Sequence, residues 1–130
     1  MKTIPFRHEG RTYHLLMNAA ALFDVYETFG SDGFVLDHIQ GNNRTSLKAI
    51  CWMLAKLAEQ GELWRRYQGF EGGQIPTEEQ LLMGLSPMEV PEARRAIIQA
   101  VQEGFHQEAG PERNEVDVGL LELQKKTEAP

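Results

Sequence analysis

A catalytic nucleophile needs a base within hydrogen-bond reach, and a metal ion needs several ligands at short spacing. The chain offers little of either. Cys51 is its one cysteine, so neither an intrachain disulfide nor a Cys-rich zinc site can be built. It lies between Ile50 and Leu54 on an apolar stripe, which points to a buried, inert thiol. The histidines, His8, His14, His38 and His106, form no close pair at metal-ligand helical spacing. Asp37 and His38 are neighbours on an expected helix and so do not face each other. Glu78 and Glu79 read as first-turn acids favoured by the helix dipole. The glycine-rich stretch Gly69-Phe70-Glu71-Gly72-Gly73 follows no strand and precedes no basic residue, so it reads as a flexible loop between helices. Neither GxGxxG nor GxxxxGK[ST] occurs, and no serine or threonine sits in a nucleophile elbow. The expectation is a protein that is not an enzyme, with no cofactor and no metal.

Recognition chemistry is better represented. Trp64-Arg65-Arg66-Tyr67 interleaves aromatic and guanidinium groups, a pattern that stacks on bases or anchors a protein interface. The balance of charge bears on that choice: Lys plus Arg is 13, Asp plus Glu is 19, and the net charge is −6. A general nucleic-acid binder must neutralise phosphates, so the acid excess argues against nucleic acid; the bland reading of the cluster, a charge pair on a helix surface, stands beside the protein-interface one. Trp52 lies roughly opposite the apolar stripe of its helix at about 100° per residue. Either that helix is buried on two sides, or Trp52 is an aromatic available to a partner. Ile98 is likewise off its helix's main stripe. Arg94-Arg95, opposite that stripe, reads as a solvated face.

These residues need elements to hold them. Ile4 and Phe6 alternate with Pro5 and Arg7, and Tyr13 and Leu15 with Thr12 and His14, an N-terminal β-hairpin turning at His8-Glu9-Gly10-Arg11. Pro5 places its strand at an edge. Asn18 caps a helix over 19–29, with Leu22, Phe23, Tyr26 and Phe29 on one broad face and Gly30 as the stop. Ser31 or Asp32 caps a short helix carrying Phe34, Val35, Leu36 and Ile39. Leu47, Ile50, Cys51, Leu54, Leu57 and Ala58 mark the clearest helix, 46–60, ended by Gly61. A shorter helix, 62–68, follows. Thr77-Glu78-Glu79-Gln80 and Ser86-Pro87-Met88-Glu89 are capping-box patterns. The second opens a helix over 91–107, whose Ala93, Ala96, Ala100 and Gly104 would admit a close neighbour. The expected core is Phe6, Leu15, Leu22, Tyr26, Leu47, Ile50, Cys51, Leu54, Leu57, Ala96, Ile97, Ala100 and Val101.

The expected fold is therefore mainly α: a compact helical domain over 1–110 with a small N-terminal β-hairpin, and a mobile acidic and apolar tail over 111–130. Val116, Val118 and Leu120 alternate as in a strand; Val116, Leu120 and Leu123 fit a helix instead. Such a tail suits a hand-off to a partner. Met1-Lys2-Thr3-Ile4-Pro5 has no apolar run of signal-peptide type, and no run reaches the length of a transmembrane helix, so a cytoplasmic location is expected.

Taken together, the hairpin Ile4–Leu15, the helix Asn18–Gly30, the helix Leu47-Lys48-Ala49-Ile50-Cys51-Trp52-Met53-Leu54 and the closing segment Glu115–Thr127 resemble the tail assembly chaperones of tailed phages and prophages, with relatives in gene transfer agents. The similarity spans most of the chain as a texture of short motifs. The 69–74 loop and the Trp64–Tyr67 cluster depart from it. The resemblance implies a mostly helical, non-enzymatic protein of the bacterial host cytoplasm, absent from the mature virion. It implies binding to a long helical tape-measure protein, contact with the tail-tube protein, and self-association into a homo-oligomer. It also implies a longer form made by ribosomal frameshifting near the end of the frame, where Lys125-Lys126 falls. Met17, Met53, Met83 and Met88 could supply adaptable apolar contacts. The partner-binding residues expected on these grounds are Trp52, Ile98, Trp64, Arg65, Tyr67, Val116, Leu120 and Leu123. The competing reading is a small DNA-binding or adaptor protein in which 41–61 and the Trp64–Tyr67 helix form a helix-turn-helix.

Overall fold

The structure, a computed structural model, describes residues 1–106. The boundary expected at 110/111, and every expectation placed on 111–130, lie outside the described residues.

Two antiparallel strands, β1 (Ile4–His8) and β2 (Arg11–Leu15), pair with Ile4 opposite Leu15, Phe6 opposite Tyr13 and His8 opposite Arg11. The connection is two residues, Glu9 (φ 52°) and Gly10 (φ 75°). Both lie in the left-handed region, the geometry whose twist matches the strands it joins. The hairpin buries Phe6, His8 and Leu15 against helices, which supplies the third layer that an isolated pair of strands lacks.

Helix α1 (Ala19–Phe29) begins where Asn18 Oδ1 accepts from the Ala21 N–H at 2.9 Å and ends at Gly30. Its buried residues are Ala21 and Val25. Leu22 and Tyr26, expected in the core, are half-buried at its edge, and Phe23 is exposed. The small residues face inward because α1 lies close along its neighbour, which pushes the larger rings to the flanks. A 3₁₀ turn, Val35–Ile39, follows. It starts after Phe34, whose N–H is held by Asp37 Oδ2 at 3.0 Å, and not at Ser31 or Asp32.

Helix α2 (Arg44–Tyr67) is the axis of the domain and packs on the hairpin and every other helical element. The chain was expected to break into 46–60 and 62–68 at Gly61; it runs through as one helix of 24 residues. Gly61 has a different role. A Cβ there would occupy the place of the His14 carbonyl oxygen, so the end of β2 lies directly on the α2 backbone. Beside it the Leu16 N–H donates to the Leu57 carbonyl at 3.0 Å. Glycine stands at this position for close approach, and tertiary packing offsets its helix cost of about 1 kcal/mol.

Helix α3 (Glu78–Gly84) carries the full expected capping box, with Thr77 and Gln80 exchanging hydrogen bonds. Helix α4 (Glu89–Phe105) starts two residues earlier and ends two earlier than expected. Half of its expected box is present: Glu89 Oε1 accepts from the Ser86 N–H at 3.0 Å. Gly104 of the small-residue stripe admits the Met17 backbone. Arg94 is not on a solvated face. Its guanidinium donates to the Ile39 carbonyl at 2.8 Å and to the Gly41 carbonyl at 3.0 Å, closing the end of the 3₁₀ turn.

Ile50, Cys51, Leu54, Leu57, Ile97, Ala100 and Val101 form the centre of the core as expected; Leu47 is half-buried. Leu16, Met17, Val35, Leu36, Ile39, Met53 and Leu81 also belong to it.

Candidate interaction surface

Three contacts fix α1 antiparallel along α2. Phe29 meets the edge of Trp52 with ring centroids 5.2 Å apart, Asp24 Oδ2 pairs with Lys56 Nζ at 3.1 Å, and Asn18 Nδ2 donates to Gln60 Oε1 at 3.0 Å. Trp52, Lys56 and Gln60 form one i, i+4 row on α2. Burial works against the Lys56 charge, but its hydrogen bonds to Glu59 and Asp24 outweigh this and hold its pKa above the ordinary lysine value.

The row does not stop with α1. Helix α1 starts beside Gln60, whereas α2 continues to Tyr67, about 10 Å further at 1.5 Å per residue. On this overhang Leu63 is 45% exposed and Tyr67 81% exposed, with half-buried Trp64 stacked on Tyr67 at 5.8 Å between centroids. Phe70, 57% exposed in the following loop, packs under the Arg65 guanidinium at 4.6 Å, on the other face of α2. No carboxylate lies within ion-pair distance of Arg65 among the described residues. The overhang therefore carries a solvent-facing apolar and aromatic face of Leu63, Trp64 and Tyr67, with Arg65 and Phe70 behind it.

The loop that presents Phe70 is not slack, contrary to the expectation for 69–73. Glu62, buried on α2, accepts from Arg66 Nε at 2.9 Å and from the Gly73 N–H at 2.8 Å. Arg66 Nη2 donates to the Gly73 carbonyl at 3.0 Å, and Arg11 reaches Gln74 from the hairpin. Two charged side chains thus fold the loop back along the end of α2.

The expected partner-binding residues fall into three groups. Trp64 and Tyr67 come together on the overhang, whereas Arg65, two residues before Tyr67 on the same helix, lies on the opposite face with Phe70. Trp52 and Ile98 are half-buried and packed against the core; Trp52 is committed to Phe29 and does not face solvent as a free docking aromatic. Its helix is covered on several sides, which is why an off-stripe tryptophan is there at all. Val116, Leu120 and Leu123 lie outside the described residues. Sequence reasoning missed Leu63 and Phe70. Leu63 follows from the 60, 63, 67 spacing once α2 is continuous; nothing local marks Phe70. Of the methionines, Met17 and Met53 are core, while Met83 and Met88 are exposed near the α3–α4 connection.

The groups with shifted pKa values are explained by their packing. Burial, aided by Glu78, pushes the Cys51 thiol up to about 11, far from a reactive thiolate. His14 is shifted down by burial and by Arg65. Glu89 is held below the ordinary glutamate range by the Ser86 N–H and then by buried His8, whose Nδ1 lies 2.7 Å from Glu89 Oε2. A cleft of about 240 Å³ between β2 and α2 is lined in part by His14 and Glu62, but Glu62 is already engaged by Arg66 and Gly73. Among the described residues no group of three His, Cys, Asp or Glu could hold a metal ion, and no helix is long and apolar enough to cross a membrane. The helix-turn-helix split across Gly61 is absent, since 44–67 is one helix.

In comparisons with known proteins, no family model, no curated protein and no solved structure matches the chain.

Proposed function

We propose that this chain is a tail assembly chaperone of the tailed-phage and prophage type. It binds a long apolar, helical tape-measure-like protein, self-associates along it and helps to recruit tail-tube subunits. On this reading it acts in the cytoplasm of the bacterial host, carries out no catalysis and leaves before the virion matures. The observation that carries the reading is the overhang of α2: an i, i+4 row that packs a helix along its first part and continues, uncovered, through Leu63 and Tyr67. A partner helix lying in line with α1 would extend an existing helix–helix seam with the same ridge geometry. The resemblance of the hairpin, the 18–30 helix and the 47–54 helix to that family supplies the identity of the client.

Co-expression with a long helical tape-measure-like protein is expected to keep that protein soluble, and sedimentation is expected to show association that grows with concentration. An insoluble client together with a strictly monomeric chain would end this reading. Binding to random duplex DNA that falls steeply with salt would instead favour the DNA-binding alternative.

A further inference from the structure

At the opposite end of α2 from the aromatic surface lies an apolar groove of about 380 Å³, lined by Leu47, Leu85, Pro87 and Val90, with Arg44 and Arg94 at its edge. Among its lining residues there is no carboxylate. Arg44 is exposed and has no ion-pair partner among the described residues, and Arg94 donates only to carbonyl oxygens and the Asn42 amide. Its complement is an apolar segment bordered by carboxylates. The chain contains one: Glu115-Val116-Asp117-Val118-Gly119-Leu120-Leu121-Glu122-Leu123 has three acids, five large apolar residues and no base. We infer that residues 115–123 of this chain dock in the groove formed by the start of α2, the α3–α4 connection and the start of α4.

Chain length permits it. Helix α4 leads from the groove at Val90 to Phe105, about 22 Å along its axis at 1.5 Å per residue. The nine residues from 107 to 115 span about 30 Å when extended. Reach alone does not select the groove, however. Leu57, beside which the chain passes at Leu16, is ten residues along α2 from Leu47 and ten from Tyr67, about 15 Å either way. The selection rests on charge and apolarity: two guanidinium groups face three carboxylates across an apolar floor. The inference is independent of the proposed chaperone activity, because it concerns two parts of one chain.

Full-length protein with paired cysteines tests it. Cys51 is buried with a raised pKa, so it does not compete in mild oxidation. Pro87 and Tyr67 are both exposed, so neither substitution disturbs the core. The pair Pro87→Cys with Leu120→Cys is expected to close into an intramolecular disulfide at least about 10-fold faster than Tyr67→Cys with Leu120→Cys, the difference reflecting local concentration. Adding Arg44→Glu to the first pair is expected to slow closure several-fold. Equal rates for the two pairs would overturn the inference, as would a rate indifferent to Arg44→Glu. A disulfide-linked dimer in place of the closed monomer would assign the groove to another copy and overturn the within-chain form.

Discussion

His8 and Glu89 show what a polar residue does when a fold buries it. The imidazole is sealed under the hairpin, and its Nδ1 meets a carboxylate that also holds the first N–H before α4. Glu89 therefore has a depressed pKa, and the sign of its effect on stability follows. The fold favours the ionised form, so this stabilisation is fully present above the ordinary glutamate pKa and is lost as pH falls through the lower folded value. Denaturant midpoints measured between about pH 3 and pH 7 are expected to fall on the acid side in the native chain, and Glu89→Gln is expected to flatten that limb. Arg94 is a second case of a charge used for structure. Arg94→Lys keeps the cation but cannot reach both the Ile39 and Gly41 carbonyls in one plane. It is expected to cost about 1–2 kcal/mol in chemical denaturation, close to the loss with Arg94→Ala.

At the scale of elements, the decisive contact is that of the β2 end with α2. Gly61→Ala tests it because two effects oppose. Alanine raises intrinsic helix propensity by about 1 kcal/mol. Its methyl group would collide with the His14 carbonyl, which is backbone and cannot rotate away. Overpacking of a tight site typically costs about 1–3 kcal/mol and here requires the hairpin to lift. The expected outcome is a net loss of stability with helix content retained by circular dichroism. A variant as stable as the native chain would show that the hairpin is not held at this point.

For the whole molecule, the proposed function places stability and recognition in different parts of one helix. Leu54 is 1% exposed at the centre of the core, and Leu54→Ala is expected to cost about 2–5 kcal/mol, most of a small domain's stability. Tyr67, at the free end of the same helix, makes no comparable contact. Tyr67→Ala is expected to leave the thermal midpoint nearly unchanged. It is also expected to weaken client binding about 10-fold or more, as an exposed aromatic anchor would. A Tyr67→Ala variant that binds its client normally would remove the overhang from the proposed function.

The sequence by itself determined most of the elements, though not the full length of α2. Period-2 alternation with a Gly10 turn specifies the hairpin, and apolar spacing on 47–58 and 93–105 specifies two amphipathic helices. Asn18 and Thr77 act as caps, because side-chain-to-backbone bonds three residues apart depend only on local chain. Most of the buried centre was legible for the same reason. Tertiary structure decided what local rules cannot reach. Gly61 looks like a helix end to any local rule and is a contact site only because β2 arrives there. Arg94 looks solvated and is a clamp only because the 3₁₀ turn, more than fifty residues earlier, brings its carbonyls. Trp52 is packed because α1 lies on it, and Tyr67 is free because α1 starts too late to cover it. Exposure at the end of a long helix depends on where the neighbouring helix begins, and that is a property of the assembled fold.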